Sequence, residues 1–213
     1  MRISLFYNLM LGISIMCVFA FYVEDRCDHQ SITGDLGDPL FDHTQIDSIF
    51  YSNPEFYTNG FDYPVGKPNA EEYYLASKFG QRNHLGEDWN GVGGGNTDLG
   101  DPVFAVSNGV VTFSEDVCCG WGNVVRVIHR LENNQKYQYV ESVYAHLKRI
   151  DVTPGQLIKR GDHIGTIGTA HGAYKAHLHL EMRDFINMSL GPGYSDDHFG
   201  YLDPSQFIDS NRP

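Results

Sequence analysis

The chain has 213 residues, 41% of them hydrophobic and 13% aromatic, with a formal net charge of −12 at pH 7. That length holds one full-sized domain with an appendage, and the acidic balance argues against nucleic acid or an anionic membrane surface as the main partner. Short Val/Ile/Tyr runs between Gly and Asp turns favour a mainly β architecture over a helical one.

Residues 1–20 read as a signal peptide. Arg2 is their only charged residue, an apolar run from Leu9 to Phe19 follows, and Val18-Phe19-Ala20 offers small residues at a cleavage site. The run is shorter than the roughly 20 apolar residues of a spanning helix. The mature protein is therefore expected to have no membrane span and to be secreted or held in the periplasm or cell envelope. A lipoprotein signal through Cys17 is disfavoured by Ser14 and Met16. Export leaves Cys27, Cys118 and Cys119, an odd count that suggests one disulfide, from Cys27 to either Cys118 or Cys119.

Residues 21–66 carry nine acids against a single base, Arg26, and show no sustained apolar period. They read as an irregular, acidic N-terminal arm lying on the main domain, with Ile46, Ile49, Phe50, Phe56 and Tyr57 available to pack. Residues 67–213 then form the domain proper. Glu71 to Lys78 reads as a short helix capped by Asn69. In Arg82-Asn-His-Leu-Gly-Glu-Asp-Trp89, His84 and Asp88 are four apart, but Gly86 and the glycines that follow argue for a strand or turn. A His nitrogen and an Asp oxygen are suitable zinc ligands.

Val103 to Phe113 reads as a hairpin turning at Asn108-Gly109. Strands are expected over Gly122–His129 and Tyr137–Leu147, the second ending in Tyr144-Ala-His146-Leu147. His129 reads as structural, and so does His146 when taken alone. The glycine ladder of Val152 to Gly168 is scaffold, with His163 and His171 in solvated turns. Residues 184–213 form a returning tail anchored by Phe199, Tyr201, Phe207 and Ile208. In Lys175-Ala-His-Leu-His-Leu-Glu181 the alternation of a strand puts His177 and His179 on one face and Leu178 and Leu180 on the other.

Three motifs in this order, His84-x-x-x-Asp88, Tyr144-x-His146-Leu147 and His177-x-His179, resemble those of the M23 (lysostaphin-like, LytM-type) zinc endopeptidases. The resemblance runs from about Arg82 to Arg183. It implies an antiparallel β-sheet domain, a distorted sandwich with a groove. One zinc ion would be held by His84, Asp88 and His179, with His146 and His177 as the catalytic pair, one a general base and the other a stabiliser of the transition state. The implied substrates are the stem peptides or cross-bridges of bacterial peptidoglycan. Two departures stand out. Gly172-Ala-Tyr-Lys-Ala176 replaces the Ser/Thr-x-Gly-Pro common before the His-x-His strand, and Phe79 stands where some members have a tyrosine. The resemblance also admits a non-catalytic, zinc-binding relative that regulates wall hydrolases, and a latency role for residues 21–66.

Overall fold

The computed structural model describes residues 41–118, 120–132 and 138–213. The signal segment, most of the acidic arm, and Cys17, Cys27 and Cys119 lie outside the described residues. Cys118 is disulfide-bonded, and its partner also lies outside them.

The first described element is helix α1 (His43–Ser52), capped by Asp42, whose carboxylate accepts the Gln45 N–H while the Gln45 side chain accepts the Asp42 N–H. This reciprocal cap satisfies two otherwise orphaned donors. The sequence shows no helix in this stretch because only Ile46 and Phe50 are buried, with Ile49 partly buried beside them. Ile46 and Phe50, four apart, are fully buried against Val110, Ile128, Tyr139 and Ile186. Burial of each contributes about 1.5–3 kcal/mol, so the arm is fastened here by a single helical turn.

Eleven strands follow among the described residues: β1 (Tyr73–Ser77), β2 (Glu87–Gly91), β3 (Pro102–Phe104), β4 (Gly109–Asp116), β5 (Asn123–Arg130), β6 (Tyr139–Leu147), β7 (Arg149–Ile150), β8 (Leu157–Ile158), β9 (His163–Thr166), β10 (Leu178–Arg183) and β11 (Tyr201–Leu202). Helix α2 (Pro204–Ser210) closes the chain. The large sheet runs β1-β2-β10-β6-β5-β4-β8, with β11 continuing beside β10, and β3-β9-β7 form a small second sheet. All pairings are antiparallel. The expected mainly β, antiparallel architecture is the one observed.

Strands β6 and β10 are buried along their whole length, because apolar clusters cover both faces of the large sheet. The main core lies between the two sheets and includes Val103, Val127, Tyr144, Ile164, Leu178 and Leu180.

Four local expectations fail, the first two for tertiary reasons. Residues 73–77 form a strand instead of a helix: Ala70 and Glu72 take positive φ angles of 57° and 64°, which end any helix, and Tyr73 to Leu75 pair with β2. The hairpin at Asn108-Gly109 does not form. Strand β3 joins the small sheet while β4 pairs with β5 and β8. Gly109 is needed there for close approach, since a Cβ would lie 2.5 Å from the Ile128 carbonyl oxygen. In the tail, Phe207 and Ile208 are buried as expected, but Phe199 is 73% exposed. His163 opens β9 and sits beside Asp151, rather than in a turn.

His129 is fully buried, with Nδ1 2.8 Å from the Asn108 carbonyl oxygen and Nε2 2.7 Å from Ser142 Oγ. Burial pushes its pKa down to about 4. The unfolded chain, with a His pKa of about 6.5, therefore binds this proton more readily than the native one. Its contribution to stability is present above pH 6.5 and is lost as pH falls from about 6.5 to about 4, an effect on the order of 3 kcal/mol. Thermal melts of the metal-free protein and of His129→Gln across that window should show the variant losing less stability on acidification.

Candidate metal centre and groove

Strands β2 and β10 pair so that His179 lies opposite Asp88. His84 sits four residues before Asp88, where the chain leaves a tight turn, and pairs across to Tyr194. Gly86 between them is required by space: a Cβ there would come within 2.5 Å of the Leu180 carbonyl oxygen and 2.9 Å of the His179 ring. The donor atoms form a near triangle. His84 Nε2 is 3.0 Å from His179 Nδ1, His179 Nδ1 is 3.1 Å from Asp88 Oδ1, and His84 Nε2 is 3.4 Å from Asp88 Oδ1. These are the only three His, Cys, Asp or Glu residues grouped this way among the described residues, with all donor atoms within 4.8 Å of one another.

The electrostatics of the trio are those of a cation site. Burial works to lower the His179 pKa, but hydrogen bonds to Asp88 and Glu181 outweigh it and raise the value to about 9. His84 is pushed the other way by burial and by the charge on His179. Burial would raise the Asp88 pKa, yet its contacts with the histidines hold it below the usual carboxylate range. Two imidazole nitrogens 3.0 Å apart need either a proton or a cation between them. With zinc bonds of roughly 2.0–2.1 Å to N and O, tetrahedral ligand atoms are separated by a little over 3 Å, which these residues fit.

His146 and His177 flank the trio. Their rings are 4.7 Å apart, and His146 is 5.4 Å from His179. His146, one residue before the end of β6, has a φ of 63°, and its ring lines the groove. Its Nδ1 is 3.2 Å from the Trp121 carbonyl oxygen, and His177 Nδ1 is 2.8 Å from that of Lys175. Each Nδ1 is thus placed to donate to a backbone carbonyl, which in the neutral ring leaves Nε2 as the lone-pair atom, and His177 Nε2 lies 3.6 Å from Asp88 Oδ1. Burial, with His179 and His177 nearby, pushes the His146 pKa down to about 3.

The groove contains a cavity of about 130 Å³ walled by the Trp121, Tyr174 and Tyr194 rings. None of these three was singled out from the sequence. Tyr174 belongs to the departing Gly172–Ala176 loop and packs 5.0 Å from His146. Tyr194 stacks 4.9 Å over His84. Phe79 instead packs 5.2 Å from His198. The start of β10 is fixed by Asn90 and Asn96, whose side chains bond the Ala176 carbonyl and N–H. The exposed aromatics bracketing the His-x-His strand were the one available signal for the groove walls.

The class that fold and site define is an antiparallel β domain with a His–Asp–His cluster and two further histidines in one groove. The profile of peptidase family M23 matches residues 83–190, and the chain belongs to that family. It is 32% identical over 93 residues to the lipoprotein NlpD of Yersinia enterocolitica, covering 44% of this chain and 87% of that protein. It is 35% identical over 85 residues to a lipoprotein NlpD/LppB homolog of Pseudomonas aeruginosa, covering 40% of this chain. The match spans only 26% of that relative's length. Among solved structures, lysostaphin from Staphylococcus simulans aligns with a TM-score of 0.47 at 24% identity, over 65% of this chain and 50% of that one. No helix among the described residues is long and apolar enough to cross a membrane.

Proposed function

We propose that the protein is an exported zinc endopeptidase that hydrolyses peptide bonds of bacterial peptidoglycan, in stem peptides or cross-bridges. Residues 1–20 would be the export signal, 21–66 the acidic arm and 67–213 the peptidase domain. The observation that carries the reading is the triangle of His84 Nε2, Asp88 Oδ1 and His179 Nδ1 beside two histidines whose Nδ1 atoms face backbone carbonyls.

In this reading His84, Asp88 and His179 hold one zinc ion, which would polarise the scissile carbonyl and lower the pKa of water to about 7. His146 and His177 act at Nε2. One accepts the proton of the attacking water; the other, once protonated, stabilises the oxyanion or gives its proton to the leaving amine. The backbone carbonyls of Trp121 and Lys175 hold both rings in the tautomer this requires. Trp121, Tyr174 and Tyr194 exclude water and orient an extended peptide in the groove.

Wild-type protein is expected to bind one zinc per chain and to release fragments from purified sacculi until a chelator is added. His146→Ala should keep the zinc and lose release by about 10²–10⁴-fold. Release that survives this substitution would remove His146 from the catalytic pair; zinc bound with no release by wild type would instead point to the non-catalytic, regulatory relative.

A further inference from the structure

Behind the trio lies a chain of buried charge that the proposed chemistry does not use. Along β10 the alternate residues His179, Glu181 and Arg183 share one face, continued just before the strand by His177. His179 Nε2 is 3.2 Å from Glu181 Oε1, while Glu181 Oε2 accepts from Arg183 Nε at 2.8 Å and Nη2 at 2.5 Å. Arg126 makes the matching pair with Glu141, at 3.0 and 2.8 Å. All four charged residues are fully buried. Arg183 also donates to the carbonyls of Ser189 and Leu190, and Arg126 to that of Met188.

Buried ion pairs are weak contributors to stability, and well-packed apolar replacements are often neutral or stabilising. Stability alone therefore does not account for Glu181. Its contact has a definite chemical effect. A carboxylate at Nε2 keeps a proton on that nitrogen, so the Nδ1 proton is the one a metal displaces, and Nδ1 is the atom that faces Asp88 and His84. Arg183 keeps the carboxylate from turning away by engaging its other oxygen through two donors. A carboxylate that fixes the tautomer and raises the basicity of a ligating histidine typically contributes 10–100-fold in metal affinity.

We infer that Glu181, clamped by Arg183, is a positioning residue that sets the tautomer and orientation of His179 for metal binding. This rests on the reading of His84, Asp88 and His179 as the zinc ligands. The test replaces the pair together, Glu181→Leu with Arg183→Leu, so that no lone charge is left buried. Arg126→Leu with Glu141→Leu serves as a control that leaves the His179 contact in place.

Zinc dissociation constants, measured by competition with a chromophoric chelator, should rise about 10–100-fold in the first double variant and stay within about threefold of wild type in the control. Melts in excess chelator report folding of each metal-free protein. Equal zinc affinity in folded Glu181→Leu/Arg183→Leu overturns the inference, as does an equal loss in the control. Should the double variant not fold, nitrogen-15 NMR of zinc-loaded wild type decides. A proton on His179 Nε2 supports the inference; one on Nδ1 overturns it. Wild type that binds no zinc overturns the metal reading itself, a result distinct from wild type and variant binding zinc alike.

Discussion

His179→Ala is expected to bind less than a tenth of a zinc per chain at micromolar metal and to release fragments from sacculi at least about 10³-fold more slowly than wild type. The size follows from what is removed. A bound metal supplies several kcal/mol of transition-state stabilisation, and each 1.4 kcal/mol is about tenfold in rate. The fold should survive, because Glu181 keeps its pairing with Arg183 and the lost ring leaves no buried charge unpaired. Metal analysis, circular dichroism and sacculus digestion on one preparation check all three points. A variant that kept its zinc would show that Nδ1 of His179 is not a ligand.

Gly168→Ala should be strongly destabilising although it adds a single methyl. A Cβ at this position would lie 2.4 Å from both the His146 carbonyl oxygen and the Lys148 nitrogen, and 2.6 Å from the Leu147 carbonyl carbon. All three are backbone atoms, so no rotamer change relieves the clash. The expected cost is at least about 3 kcal/mol, or a fall in melting temperature of about 6–12 °C for a chain of this size. The damage should also reach the site, because the Gly168 carbonyl accepts the His177 N–H and His146 lies on the other side of the contact. A melt alongside a zinc titration would show both effects. Unchanged stability would mean that the backbone of 146–148 can move away freely.

Much of the site could be read locally. The alternation in Lys175–Glu181 put His177 and His179 on one face, as found, because a strand's side-chain period is fixed by its backbone. The glycine in His84-x-Gly86-x-Asp88 was a correct sign of a strand or turn. The meeting of Asp88 with His179 could be read only from the family resemblance and not from local spacing, because the β2–β10 register is set by the whole sheet. For the same reason the Asn108-Gly109 signal misled: a turn preference of two residues cannot show that β3 will leave for a second sheet. Glu181 and Arg183 were legible in principle. Two opposite charges spaced two apart on an otherwise apolar strand continue the histidine face, and an unpaired charge there would be too costly to bury. The groove walls at Trp121, Tyr174 and Tyr194 come from three separate loops and follow no period at all.

The trio joins His84 and Asp88 to His179 across 95 and 91 residues of chain. Residues that far apart meet only after a long loop has closed, so this pairing is one of the non-local contacts of the fold. A chain still being made, threaded through a membrane or pulled open by a protease thus has no assembled triangle of donors. In the proposed enzyme, the capacity to cut would arise only where the whole sheet has closed, and a cell exporting it would carry an inert polypeptide until folding on the far side is complete.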